Sequence, residues 1–191
     1  MSQKPGTERL QAFSDGVFAV VITILVLEFH PPHEASWAGL AGVWPTAVSY
    51  AVSYWFIAIV WVNHHHLLRF TDTCTPGLIW GNFAHLFAVS LIPFTTEWIA
   101  TTHLAGVPVC VYAAVFALVN ATYIFLCFEA VDRPQPDQPS PKVRAMMRMR
   151  SFTTLAVFAA AGVVALWYPT AGLGLIVICL LGYLRPGITS Q

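Results

Sequence analysis

The amino-acid sequence predicts an all-α integral membrane protein, one bundle of six transmembrane helices with both termini in the cytoplasm. Three observations predict it. Six runs of the 191-residue chain are apolar and long enough to cross a bilayer, which takes about 20 residues at 1.5 Å rise each. All nine Lys and Arg residues fall in segments on one side of those runs. Lys4 and Arg9 precede the first, Arg69 separates the second from the third, and Arg185 follows the sixth. Arg133, Lys142, Arg144, Arg148 and Arg150 separate the fourth from the fifth. The opposite loops carry Glu28, Glu34 and Glu97 and no Lys or Arg, so the positive-inside rule is met without exception. Hydrophobic residues make up 57% of the chain and charged residues 9%, against roughly 45–50% and 25% in soluble domains. A soluble fold could not cover that much apolar surface with so few charges. The formal net charge of zero hides a strong sidedness, which is membrane topology and not a nucleic-acid footprint.

Each span has its own limits. The first runs over about 12–29 and stops at Pro31-Pro32. No small-residue cleavage site follows it, so it reads as a retained helix and not a secretory signal. The second lies within 44–63, in a stretch free of charge from Glu34 to Arg69. The third covers 78–95 with Pro93 near its outer end, and the fourth covers 107–128. The fifth and sixth, 151–168 and 171–185, share an uncharged stretch broken at Pro169 to Gly174. The segment from Asp132 to Pro141 holds four prolines, Pro141 included, and reads as an extended cytoplasmic loop. Lys142 to Arg150 form a basic amphipathic lead into the fifth helix that suits anionic headgroups. The single domain is 1–191. Its four cysteines, Cys74, Cys110, Cys127 and Cys179, have no paired spacing, so neither disulfides nor a zinc site is expected. Trp37, Trp44, Trp98, Trp167 and Tyr168 cluster at outer boundaries, as interfacial belts do.

The first helix carries its polar residues at its inner end: Arg9, Ser14 and Asp15. An Asp at a helix start is favoured by unpaired amides and the macrodipole. Intramembrane ionisable groups, however, usually pair or serve function. Beyond Asp15, Thr23 is the one polar side chain before Glu28, and Val20, Thr23, Ile24 and Leu27 share a stripe at i, i+3, i+4 and i+7.

Arg9-Leu10-Gln11-Ala12-Phe13-Ser14-Asp15 has the form R-x-x-x-F-S-D, and it opens the first span of a six-span chain. Trp61-Val62-Asn63-His64-His65, then Leu78-Ile79-Trp80-Gly81-Asn82 with Pro93-Phe94, follow at the next two spans. This pattern resembles the transmembrane protein 175 family of potassium channels in its short, single-repeat bacterial form. The likeness covers roughly residues 9 to 95 by motif and the remainder by hydropathy. It implies a homotetramer in a bacterial cell membrane, with four first helices lining a central pathway for potassium and other monovalent cations. No cofactor and no enzymatic activity are expected. Such channels lack a carbonyl filter, and the sequence contains no T-V-G-Y-G. By the resemblance, Val20, Thr23, Ile24 and Leu27 line the pore and form an apolar constriction, while Glu28 attracts cations at the outer mouth. Arg9, Phe13, Ser14, Asp15, His64, His65, Trp80 and Asn82 form a structural hydrogen-bond network.

Two other classes are weighed beside the channel. His64-His65-His66 with His85 suggests a membrane haem or redox protein. Neighbouring residues on a helix point about 100° apart, however, so three histidines in a row cannot chelate one ion. A small secondary transporter is disfavoured by the few intramembrane ionisable groups.

Overall fold

The computed structural model describes residues 5–71, 74–132 and 139–183, and all regular structure in them is helical. The helices are α1 (Pro5–Leu27), α2 (Trp37–Gly42), α3 (Trp44–Leu68), α4 (Pro76–Ser90), α5 (Ile92–Thr101), α6 (Gly106–Cys127), α7 (Pro141–Ala165) and α8 (Pro169–Gly182). A π-helical turn, Phe128–Asp132, extends α6. Lys4, Arg133, Arg185 and most of the proline-rich loop lie outside the described residues.

Four helical stretches are long and apolar enough to cross a membrane: Gly6–Leu27, Trp44–Leu68, Pro76–Thr101 and Gly106–Asp132. α7 begins with a strongly basic first half, and α8 is apolar but only 14 residues long. Helices overrun the apolar runs at their charged ends. α1 starts at Pro5 where hydropathy suggests about residue 12, α3 continues to Leu68, and α7 starts at Pro141 where hydropathy suggests about residue 151. Hydropathy marks the hydrocarbon boundary, whereas Arg and Lys are good helix formers and do not end a helix. The third apolar run is broken between α4 and α5, because Pro93 has no N–H to continue the ladder.

α6 is the spine of the subunit, packed against α4, α5, α7 and α8, while α1 lies against α3, α4 and α5. The core stacks Phe56 on Phe116 at 3.7 Å, with Phe158 edge-on to both. Ser53 ties three helices by bonds to Thr96 (2.6 Å) and Tyr112 (2.7 Å). Burying those hydroxyls together leaves none unpaired in a medium without water. Close approaches use glycine. A Cβ on Gly172 would stand 2.7 Å from the Ala161 carbonyl, and one on Gly81 would stand 2.6 Å from the Phe125 ring. Gly81 therefore lets α4 sit tight on α6 and sets the position of the next residue, Asn82.

Candidate functional site

α1 has two faces of opposite character. At about 100° per residue, Gln11, Ser14, Asp15 and Phe18 share one stripe, and Arg9, Phe13, Val20, Thr23, Ile24 and Leu27 share the other. The first stripe is held by the subunit. Ser14 is fully buried and meets Asn82: the Asn82 amide donates to Ser14 Oγ at 3.0 Å. Ser14 Oγ also donates to the Leu10 carbonyl at 2.8 Å, tying itself to its own helix. Asn82 Oδ1 in turn pairs with His64 Nε2 at 2.7 Å. Trp61 donates its indole N–H to Asp15 Oδ1 at 2.8 Å, and Gln11 Nε2 meets His65 Nδ1 at 2.7 Å. A polar network therefore joins α1, α3 and α4, a buried Ser14–Asn82–His64 chain flanked by the half-buried Gln11–His65 pair and the solvent-open Trp61–Asp15 bond, and it fixes how far α1 is rotated about its own axis.

The second stripe leaves the subunit. Val20 is 55% exposed, Ile24 40% and Leu27 73%, and Thr23 is exposed as well. Thr23 donates its hydroxyl to the Val20 carbonyl at 2.8 Å, which keeps its oxygen lone pairs free to face outward. Glu28 lies half-buried just past the last turn of α1. Carboxylate and helix C-terminus both place negative potential there.

Among the residues expected in the network, Ser14, Asp15, His64, His65 and Asn82 are brought together. Arg9, Phe13 and Trp80 are not. Arg9 is exposed on the Leu27 side of the helix, with no hydrogen bond or ion pair among the described residues. Phe13 is an edge-on neighbour of Phe83 at 5.5 Å. Trp80 is 73% exposed and faces away. Two residues on a helix are about 200° apart, so Asn82 pointing inward sends Trp80 outward. The tryptophan bonded to Asp15 is Trp61, which shares a face of α3 with His64 and His65 at i, i+3 and i+4. That spacing, and Gln11 at i−3 and i−4 from Ser14 and Asp15, were the signals for the two partners that the expected network omits.

The three histidines diverge as helical spacing requires: His64 is buried, His65 lies beside Trp61 with ring centroids 5.6 Å apart, and His66 is exposed. The His64 and His85 rings stack in parallel at 5.7 Å, and His85 Nδ1 meets Thr122 Oγ1 at 3.0 Å. Phe18 packs edge-on to His64 at 5.5 Å. Each of the two buried histidines already spends one ring nitrogen on a protein partner. The described residues contain no group of three or more metal-ligating side chains.

Comparison with known proteins matches these features. The family described as endosomal/lysosomal potassium channel TMEM175 matches residues 9–93, the span that holds the whole polar chain. A potassium channel of Chryseobacterium sp. is 32% identical over 178 residues, 93% of this chain and 92% of that one. The chain belongs to the TMEM175 family. A potassium channel of Streptomyces collinus is 35% identical over 127 residues, 64% of this chain and 61% of its own. The TMEM175 fold is shared as well. The crystal structure of a lysosomal potassium-selective channel TMEM175 homologue from Chamaesiphon minutus superposes with a TM-score of 0.85 at 24% identity, over 94% of this chain and 97% of that one.

Proposed function

We propose that the protein is a potassium-permeable cation channel, a homotetramer of six-span subunits in a bacterial cell membrane, with termini inside and α1 around the central axis. The observation that carries this reading is the pair of faces on α1. One is bolted to the subunit through Asn82, His64, Trp61 and His65, and the other is a largely apolar stripe whose apolar side chains stay 40–73% exposed in the subunit. A subunit with one such stripe encloses no water path, and closed symmetry turns several copies into a ring. The relatives from Chryseobacterium and Streptomyces are both potassium channels, which supports the permeant ion.

In that ring Ile24 and Leu27 form the constriction. Apolar side chains at close quarters exclude water, so the throat gates by dewetting, and conduction needs the α1 helices to rotate or spread. Thr23 supplies a ring of hydroxyl oxygens in an otherwise apolar throat. Glu28 and the C-terminal carbonyls of α1 raise the cation concentration at the outer mouth. The polar chain holds the rotation of α1 and so keeps the stripe on the axis.

Ion flux from liposomes under potassium, sodium and chloride gradients tests the proposal. Potassium should exceed sodium, and chloride should stay put. A well-folded tetramer without potassium flux, or a conducting monomer, would refute it.

A further inference from the structure

A cavity of about 30 Å³ lies far from the α1 stripe, where α3, α6, α7 and α8 converge near the basic end of α7. Its wall is apolar, and its polar lining comes from Asn63, Asn120, Tyr123, Thr154 and Tyr183. Asn120 is 8% exposed, and its side-chain oxygen has no hydrogen-bond partner among the described residues. Thr154 and Tyr183 pair with each other at 2.8 Å. The Arg150 guanidinium lies 3.7 Å above the Tyr183 ring. Arg144 and Arg148 share Asp132, at 3.8 and 2.9 Å, whereas Arg150 is exposed and has no carboxylate partner among the described residues.

A buried amide oxygen with no donor calls for one from outside the chain, because the bilayer supplies none. About 30 Å³ admits a hydroxyl or one or two waters, and no more. The Arg150 guanidinium at the edge, with no carboxylate among the described residues, suits an anion and disfavours an ammonium. A ligand that meets both demands carries a phosphate and, a few bonds away, a hydroxyl. The apolar wall, and Arg150 standing at the start of the uncharged stretch, add acyl chains to that description. We propose that this is a headgroup site for an anionic phospholipid of the phosphatidylglycerol class. Its phosphate lies on Arg150, and its glycerol hydroxyl enters the cavity to donate to Asn120. The lipid joins α3 and α6 to α7 and α8.

Native mass spectrometry of the full-length channel with phosphatidylglycerol, phosphatidylethanolamine and phosphatidylcholine of matched chains tests this, alongside melting in the same lipids. Phosphatidylglycerol should be retained preferentially and should raise the melting temperature. Asn120→Leu and Arg150→Gln should each weaken its binding about tenfold while melting in phosphatidylcholine stays unchanged. Lys142→Gln, which removes a cation of the same helix away from the cavity, should leave the preference intact. Arg150 is on the surface, so its variant folds even if the Asn120 variant does not. Equal retention of the three lipids means a cavity that holds only water and overturns the proposal. So does a preference that survives Arg150→Gln, or one lost equally with Lys142→Gln. Saturable binding of soluble glycerol 3-phosphate at comparable strength would assign the site to a free phosphate ester and overturn the lipid.

Discussion

The most apolar 18-residue stretches of α1 and α6 have the same mean hydropathy, 2.1, yet 28% of the first is buried against 50% of the second. Hydropathy reports how a helix partitions into a bilayer and says nothing of its neighbours. α6 spends its side chains on four other helices, so its sequence is constrained by packing inside the subunit. α1 packs against three helices and leaves a face exposed. The burial difference, invisible to composition, separates a helix packed within the subunit from one that keeps an open face, the face proposed to line the pore.

The largest effect expected from this contrast is a difference in folding. Phe116→Ala removes the ring sandwiched by Phe56 and Phe158 and should cost about 3–5 kcal/mol. Leu27→Ala, on the exposed face of α1, should leave melting nearly unchanged. Equal losses in thermal melts would end the distinction between the two helices.

Neighbouring positions on α1 sharpen it. Leu25 is 2% exposed and Ile24 40%. Leu25→Asn buries an amide without a partner, at about 1–3 kcal/mol, and should lower folded yield. Ile24→Asn should fold, wet the throat, and conduct cations faster with less discrimination between potassium and sodium. Flux measured on folded Ile24→Asn decides, and unchanged conductance and selectivity would remove Ile24 from the pore.

A smaller effect distinguishes the two indoles. Trp61→Phe removes a hydrogen bond to the Asp15 carboxylate that is open to solvent, about 0.5–1 kcal/mol after solvent screening. It should weaken assembly without altering selectivity, and Asp15→Asn should do much the same. Trp80→Phe should do neither, as gel filtration and flux on each variant will report.

The smallest effect lies at the base of α1. Cys74 Sγ contacts the Gly6 carbonyl at 3.5 Å, and burial there raises its thiol above the ordinary value. A raised value shifts alkylation to higher pH, because the thiolate is the nucleophile. Alkylation of Cys74 should therefore be slow at neutral pH and accelerate as pH rises. Ser14→Ala, which loosens the polar chain, should speed it at fixed pH. A rate equal to that of a free thiol would mean that the inner end of α1 is already detached.

Much of this was legible in the sequence. Apolar runs marked four of the membrane-length helices, and the R-x-x-x-F-S-D string drew attention to Ser14 and Asp15, which the structure ties to Asn82 and Trp61. Assigning Trp80 to the network failed because a motif is a list of neighbours in sequence, whereas a hydrogen bond needs a shared face. Counting 200° between Trp80 and Asn82 would have excluded it. The start of α7 was legible only from its basic amphipathic lead, Lys142 to Arg150, since hydropathy cannot follow a helix out of the hydrocarbon. The stack of His64 on His85 was out of reach, because it depends on how α3 and α4 cross, and no local pattern encodes that.

The clasp of Asp132 by Arg144 and Arg148 has a consequence for chain connectivity. It joins the last turn after α6 to the first turns of α7, and the two helices then pack side by side. The covalent link through 133–138 is therefore not what holds the two parts of the subunit in register. A gene cut there would encode two polypeptides with matching surfaces and a shared ionic latch, one carrying α1 to α6 and the other α7 and α8.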